Sequence, residues 1–495
     1  MDAERWRLLE RAKGRPELQA LFMVDLVFSQ VPEARRENLK QALEALAIPH
    51  WCDARVLATL LDAPTADSSA LLADLQSVGV VDAFPARGDD ALRARDLIRL
   101  SIRQHLYLRD RERLRLLSSR AASAWEADET PVGRIEWLYH LLVADPDRGA
   151  RECESIERIW SRVAWPENYS ALAIALAELE AAGLVLGRAR CEILFCMASA
   201  AALRGQFDKV GEITAAALQL ARSNGHESAV ARIHCLIGDS LAAQGKGAAA
   251  LRAYSTFLRL ERELNARPTE TMIELVDLAT ALNRVGSTLA EDEKTREQGL
   301  ELLQEGFTVC ERMHTAEPDN PGWKLDLAAA SSQLGKVLRR LGRSEEALVC
   351  FERDLSICQE LVALDPFNST WQRDLGIAYN RVGVARLDSG QVSEAAAAQQ
   401  QYLKIFEALV DNDGTNFEWL RELAVAHWSV GIAMAKGGGA KEKGEALRQM
   451  KAANECFNEL HEISPGSTAE WVKDHRRLQD RIQELEREIG GSDAA

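Results

Sequence analysis

Aromatic residues make up only 6% of this 495-residue chain, so its interior must be packed largely with smaller side chains. Hydrophobic residues still reach 47%, which suits a helix-rich protein packed on Ala and Leu. No apolar stretch is long enough to span a bilayer, and the opening MDAERWRLLERAKGR lacks the apolar core of a signal peptide. The nine cysteines are scattered, with no C-x-x-C pair and no His/Cys cluster at zinc spacing. Cys191, Cys196, Cys350 and Cys358 therefore read as helix-packing residues, and a reducing, cytoplasmic setting is expected. Neither metal nor cofactor is expected. H-E-x-x-H and G-x-S-x-G are also missing, and no Cys has a recognisable His partner motif. His140 in EWLYHLL and His427 in AVAHWSV lie on apolar helical runs and read as core or groove residues. With no assembled constellation, the chain is expected not to be an enzyme.

Charge is unevenly placed. Of a net −16, residues 1–130 carry only −2, from 19 Lys/Arg against 21 Asp/Glu. The remaining −14 falls on the rest of the chain, which repels phosphate backbones and argues against nucleic acid there.

Strand-like alternation is scarce, whereas runs such as SEEALVCFERDLSICQELVALD carry apolar residues at three- and four-residue steps, the helical period. A tryptophan returns at Trp323, Trp371 and Trp419, 48 residues apart, and again at Trp471 after 52. An acid follows each by three residues (Asp326, Asp374, Glu422, Asp474), and a glycine follows the first three by twelve (Gly335, Gly383, Gly431). One period upstream Glu274 replaces the tryptophan, with Asp277 and Gly286 at the same offsets. Such periodicity means stacked units rather than one globular core. Six units align on Ala198, Gly238, Gly286, Gly335, Gly383 and Gly431. Val210, Ala250, Ala347 and Ala395 open the second helix of four of them, and Tyr254 and Phe351 add an aromatic one turn on.

Small residue, turn glycine, alanine and aromatic at these spacings resemble tetratricopeptide repeats. The family repeat is about 34 residues, so the longer period here extends each helix by about 10 Å at the rise of an α-helix. The Pro/Asn/Gly phrases PDNPGW, DPFNSTW, NDGTNFEW and SPGSTAEW are expected to cap helices. The recurring tryptophans read as packing between neighbouring repeats. By register, the resemblance places Arg232, Asp239, Asn283, Ser332, Lys336, Arg339, Asn380 and Trp428 on a concave face. Polar side chains there suit an extended peptide or a carboxylate. The glycine-rich MAKGGGAKEKGEA reads as an exposed, flexible tip open to proteases.

The N-terminal region reads differently. Helices through Glu37–Ala47 and near Ser69–Val78 precede VGVVDAFPARGDDALRARDLIR, a strand, turn and return, and then one long helix to Trp125. This is the make-up of a winged helix. LEALAIPHWCDARVLATLLDA, ALRARDLIRLSIRQHL, RIEWLYHLLVADP and LAELEAAGLVLGRAR resemble the winged-helix and connecting segments of bacterial STAND ATPases with repeat sensors. G-x-x-x-x-G-K-[ST] is missing, and GDSLAAQGKG at Gly238–Gly247 has the wrong spacing. The sequence thus looks like a sensor half without its nucleotide-binding motor.

The expected organisation is a helical lead-in (1–37), a winged-helix-like domain (38–126), a helical connector (127–185), a repeat array (186–480) and a tail (481–495). The fold class is all-α, a tetratricopeptide-like superhelix with a small N-terminal β-hairpin. The resemblance implies a non-enzymatic regulator or adaptor that binds an effector, toxin, protease or sensor in a bacterial signalling or antiviral system, with release by cleavage. DNA binding is the alternative. Ten arginines between Arg87 and Arg120 face five acids, and Arg99 with Arg103, or Arg109 with Arg113, would share helix faces. Against it, the chain is acidic and SALLADLQSV has no basic residue.

Overall fold

The computed structural model describes residues 13–160, 166–266, 272–463 and 470–492. Among them are twenty-two α-helices and one two-stranded sheet. The chain divides into two compact units, Met1–Gly245 and Lys246–Ala495.

The first unit begins with α1 (Pro16–Phe28), α2 (Glu33–Leu46), α3 (Ala54–Leu61) and α4 (Thr65–Ser77). Asp53 starts α3 by accepting the Val56 N–H at 2.7 Å, and Asp62 ends it in the left-handed region at φ 58°. Strands β1 (Val81–Ala83) and β2 (Leu92–Ala94) pair antiparallel with Val81 opposite Ala94, and Leu92 also bridges Cys52. Gly88 at φ 122° lets the chain turn between them. This is the helix-and-hairpin order expected from the sequence. The expected single helix to Trp125 is instead two, α5 (Asp96–Arg109) and α6 (Arg111–Trp125). Asp110 breaks them apart, leaving helical geometry and capping α6 through the Arg113 N–H at 3.0 Å.

Three helices that each open on proline follow: α7 (Pro131–Ala144), α8 (Pro146–Trp160) and α9 (Pro166–Ala182). Helix α7 is buried on nearly every side from Glu136 to Val143. Trp125, Trp137, Tyr139 and Tyr169 sit in the same core, so the few aromatics are concentrated where one unit needs bulk. The unit ends with α10 (Gly187–Leu203), α11 (Phe207–Ser223) and α12 (Glu227–Ala243). Gly205 and Gly225, both at φ 67°, turn the chain between them.

The second unit holds α13 (Gly247–Asn265), then four long pairs: α14 (Met272–Leu289) with α15 (Arg296–Ala316), α16 (Pro321–Arg340) with α17 (Ser344–Leu364), α18 (Ser369–Asp388) with α19 (Val392–Asn412), and α20 (Phe417–Gly437) with α21 (Ala440–Ile463). Helix α22 (Glu470–Ser492) closes it. Its Leu485 is fully buried, so the expected tail from residue 481 continues a packed helix instead.

The glycines that mark the repeat do not turn the chain. Gly286, Gly335, Gly383 and Gly431 lie inside first helices, where a Cβ would collide with the second helix. At Gly335 it would stand 2.7 Å from Phe351, and at Gly383 2.5 Å from Gln399. They permit close helix approach. The turning residues are Gly342, Gly390 and Gly438, at φ 76°, 76° and 86°. The expected flexible tip is also reduced, because α20 runs to Gly437 and α21 resumes at Ala440. The buried Ala347, Ala395, Phe351 and Tyr254 take the positions expected of them.

Asparagine supplies the caps of the tryptophan phrases. Asn320 accepts the Gly322 N–H at 2.9 Å, Asn368 that of Trp371 at 3.1 Å, and Asn416 that of Trp419 at 3.2 Å. Most of the fourth phrase, SPGSTAEW, lies outside the described residues, but Trp471 is buried and stacks on Phe457. Packing is thus what that tryptophan does.

Candidate functional site

In the second unit the first helices of neighbouring pairs touch directly, α14 with α16 and α18 with α20. Across α16, α17 and α18 lies a knot of charges drawn partly out of water. Arg381 on α18 donates to the Asp354 Oδ2 of α17 at 2.8 Å, and Asp354 is almost fully buried. The Cys358 thiol donates to the other Asp354 oxygen at 3.6 Å. Lys336 on α16 lies half-buried beside them with no ion-pair partner among the described residues.

The ionisation of these groups is strained. Burial first, and then the Arg381 guanidinium, hold the Lys336 ammonium below its usual range, with Asp354 opposing. Burial raises Asp354 although Arg381 works against it, and raises Asp374 against the pull of Arg373 and Arg381. Perturbed ionisable groups gathered in one place make a candidate site. Lys336 makes no direct ion pair among the described residues and feels Asp354 only at a distance, so a carboxylate brought to it would relieve the strain. Asn380 adds amide donors, since its own oxygen is taken by the Gln399 Nε2 at 3.2 Å. Lys336 and Asn380 were legible by register. Arg381 and Asp354 were not singled out, although Arg381 stands beside Asn380 in YNRVG, and Asp374 was noted only as the acid three residues after Trp371.

The other residues expected on the groove separate. Arg339 is exposed and pairs with Asp388 at 2.5 Å, linking α16 to α18. The Asn283 Oδ1 lies buried without a hydrogen bond, close against Gly306. Ser332 is 3% exposed, packed inside and out of a ligand's reach. Trp428 is half-buried and packs on the cluster formed with α21 and α22, so it serves the stack. Asp239 lies half-buried on α12 in the first unit. Arg232, also on α12, is no groove residue. It is buried among Glu192 at 3.0 Å, Glu157 at 3.0 Å and Glu154 at 3.3 Å, with its guanidinium 4.3 Å from the Phe195 ring centre.

The expected nucleic-acid face is likewise internal. Arg99 and Arg103 are 4% and 2% exposed. Both point at Glu178 on α9, Arg103 at 2.6 Å, and Arg103 also meets Tyr139. Two buried guanidinium groups cannot grip a phosphate backbone. The break at Asp110 puts Arg109 and Arg113 on different helices, and Arg113 is engaged by Glu44 at 2.8 Å. Arg109 alone of the four is exposed without an ion pair among the described residues.

Next to that clamp, His50 bonds the Glu136 Oε1 at 2.9 Å, and His140 faces the other oxygen at 3.5 Å. Burial pushes His140 down to about 4 against the pull of Glu136. Glu178 is drawn down to about 2 despite burial, by Arg99 and then Arg103. The network is charged and dense, yet it faces the interior. No cluster of His, Cys, Asp or Glu able to hold a metal occurs among the described residues. No helix there is long and apolar enough to cross a membrane.

No family model matches the chain, and no curated protein matches it. Solved structures do. The chain is similar to a signal transduction ATPase with numerous domains (STAND) carrying a tetratricopeptide repeat sensor, from Pyrococcus horikoshii. The match has 11% identity and a TM-score of 0.55, covering 99% of this chain and 69% of that one. A Rap protein complexed with Competence and Sporulation Factor aligns at 11% identity and a TM-score of 0.42, over 79% of this chain and 98% of the other. BtubC from P. vanneervenii aligns at 13% identity and a TM-score of 0.39, over 56% and 95%. What the first of these establishes is the fold: an all-α, tetratricopeptide-like helical-repeat protein with a small N-terminal hairpin.

Proposed function

We propose that the chain is a non-enzymatic regulator that binds a partner protein through the first helices of its second unit. The observation that carries this reading is the unpaired, half-buried Lys336 beside Arg381 and Asn380. Repeats of this kind hold extended peptides, with side-chain donors taking the peptide's carboxylates and amides. The winged-helix-like segment, the connector and the repeats follow the order of a STAND sensor, and this supports a sensing or holding role in a bacterial signalling or antiviral system. Partners of that kind are effectors, toxins, proteases or other sensors. Release by cleavage would act at the hairpin loop Ala86–Asp90, which is exposed throughout, since the glycine-rich segment near Gly438 is nearly all helix.

The test is affinity capture of the tagged full chain from its host, repeated with Lys336→Glu combined with Arg381→Glu. A stoichiometric protein partner lost by at least tenfold from the double variant is the expected result. Retention of that partner at full yield would place the interface elsewhere.

A further inference from the structure

A second feature lies in the first unit. Cys153 on α8 and Cys196 on α10 are 43 residues apart in sequence and both are fully buried. Their sulfurs lie 3.7 Å apart. The two helices are held in register at this level by Arg232. Its guanidinium takes Glu154 and Glu157 from α8, one and four residues after Cys153, and Glu192 from α10, one turn before Cys196. Two thiols in contact on elements already pinned side by side need only a small approach, roughly 1.7 Å, to reach the length of a disulfide bond.

We propose that Cys153 and Cys196 form a reversible oxidative cross-link that locks α8 to α10. The oxidant is hydrogen peroxide, which is small enough to enter a packed interior during brief opening. One sulfur attacks the peroxide, the O–O bond breaks, and water leaves a sulfenic acid behind. The second sulfur then attacks the first, forming the S–S bond and releasing a second water. Two thiols lose two electrons and two protons in all, and the peroxide is reduced to water. Contact with Cys196 and then burial hold the Cys153 thiol well above the usual thiol range. Oxidation is therefore slow in the closed state and limited by local opening, so the cross-link records sustained rather than brief exposure.

The experiment treats the full chain with hydrogen peroxide, blocks remaining thiols with N-ethylmaleimide, and maps peptides by mass. The expected product joins the peptides of Cys153 and Cys196, lighter by two hydrogens and restored by dithiothreitol. Peroxide should also raise the melting midpoint of the native chain by about 5 °C or more. Cys153→Ala and Cys196→Ala should show no such rise. Full labelling of both cysteines only after unfolding, or pairing of either with another cysteine, would overturn the proposal.

Discussion

The two units use charge in opposite ways. In the first, Glu178 is met by Arg99 and Arg103, and Arg232 by three carboxylates, with all three guanidinium groups buried. In the second, Lys336 is half-buried and unmatched while Arg381 is shared with Asp354. Arg99 and Arg103, from the arginine-dense segment, proved to be interior clamps, whereas Lys336 became the best candidate for recognition. Matched charge stabilises only while both partners stay in place. Unmatched charge lowers stability slightly and keeps an interaction in reserve.

The largest effect is expected from breaking the interior clamp. Glu178→Ala leaves two buried guanidinium groups without their carboxylate and should cost about 3–5 kcal/mol, read by urea unfolding. If it costs less than about 1 kcal/mol, the clamp is not the tight pair the distances imply.

Acid should expose the same difference. The folded His140 titrates near 4, below the roughly 6.5 of an unfolded histidine. The unfolded state therefore takes up a proton first, and stability falls as pH drops from about 6.5 toward 4. Glu178 has a folded value near 2, below the unfolded value of about 4.3. Its contribution is present above that value and disappears as pH falls toward 2. His140→Gln should flatten the upper part of this curve, and an unchanged curve between pH 6.5 and 4 would remove His140 as its cause.

Helix starts offer a milder comparison. Asn368→Ala removes the acceptor for the Trp371 N–H and should lower stability by about 1 kcal/mol. A larger loss would mean that the cap also fixes the tryptophan. Smallest in stability is Lys336→Met, expected within about 0.5 kcal/mol of the native chain or slightly above it, while capture of the partner weakens. A stability loss as large as that of Glu178→Ala would erase the distinction between the two units.

Much of the fold was legible because its signals are local. Periodic tryptophans, Asn320, Asn368 and Asn416 before them, and the buried Ala347 and Ala395 each report on a neighbour a turn or two away. The fate of the arginines was not legible, since Arg99 and Arg103 meet a carboxylate 79 and 75 residues downstream. No spacing rule reaches that far. Asp110 did carry a local signal, an aspartate at the head of a charged helical run, but the continuous apolar period on both sides concealed the break. The marker glycines serve the close helix approach that the repeat pattern implies and not the turn, a distinction hidden because small residues for packing and for turning look alike in sequence. Lys336 and Asn380 were named by register, whereas the electrostatic setting that singles out Lys336 includes Asp354 and Arg381 from two other helices.

The glycines inside the first helices also decide how the second unit can deform. At Gly335 and Gly383 the facing helix fills the space a side chain would take, so the two helices of a pair cannot slide past each other without a clash. Between successive pairs the contacts are made by larger, more adaptable side chains such as Tyr402 and Leu423. Strain from a bound or pulling partner would therefore collect at the joints between pairs, and the unit would yield as hinged, stiff segments rather than as a uniform spring.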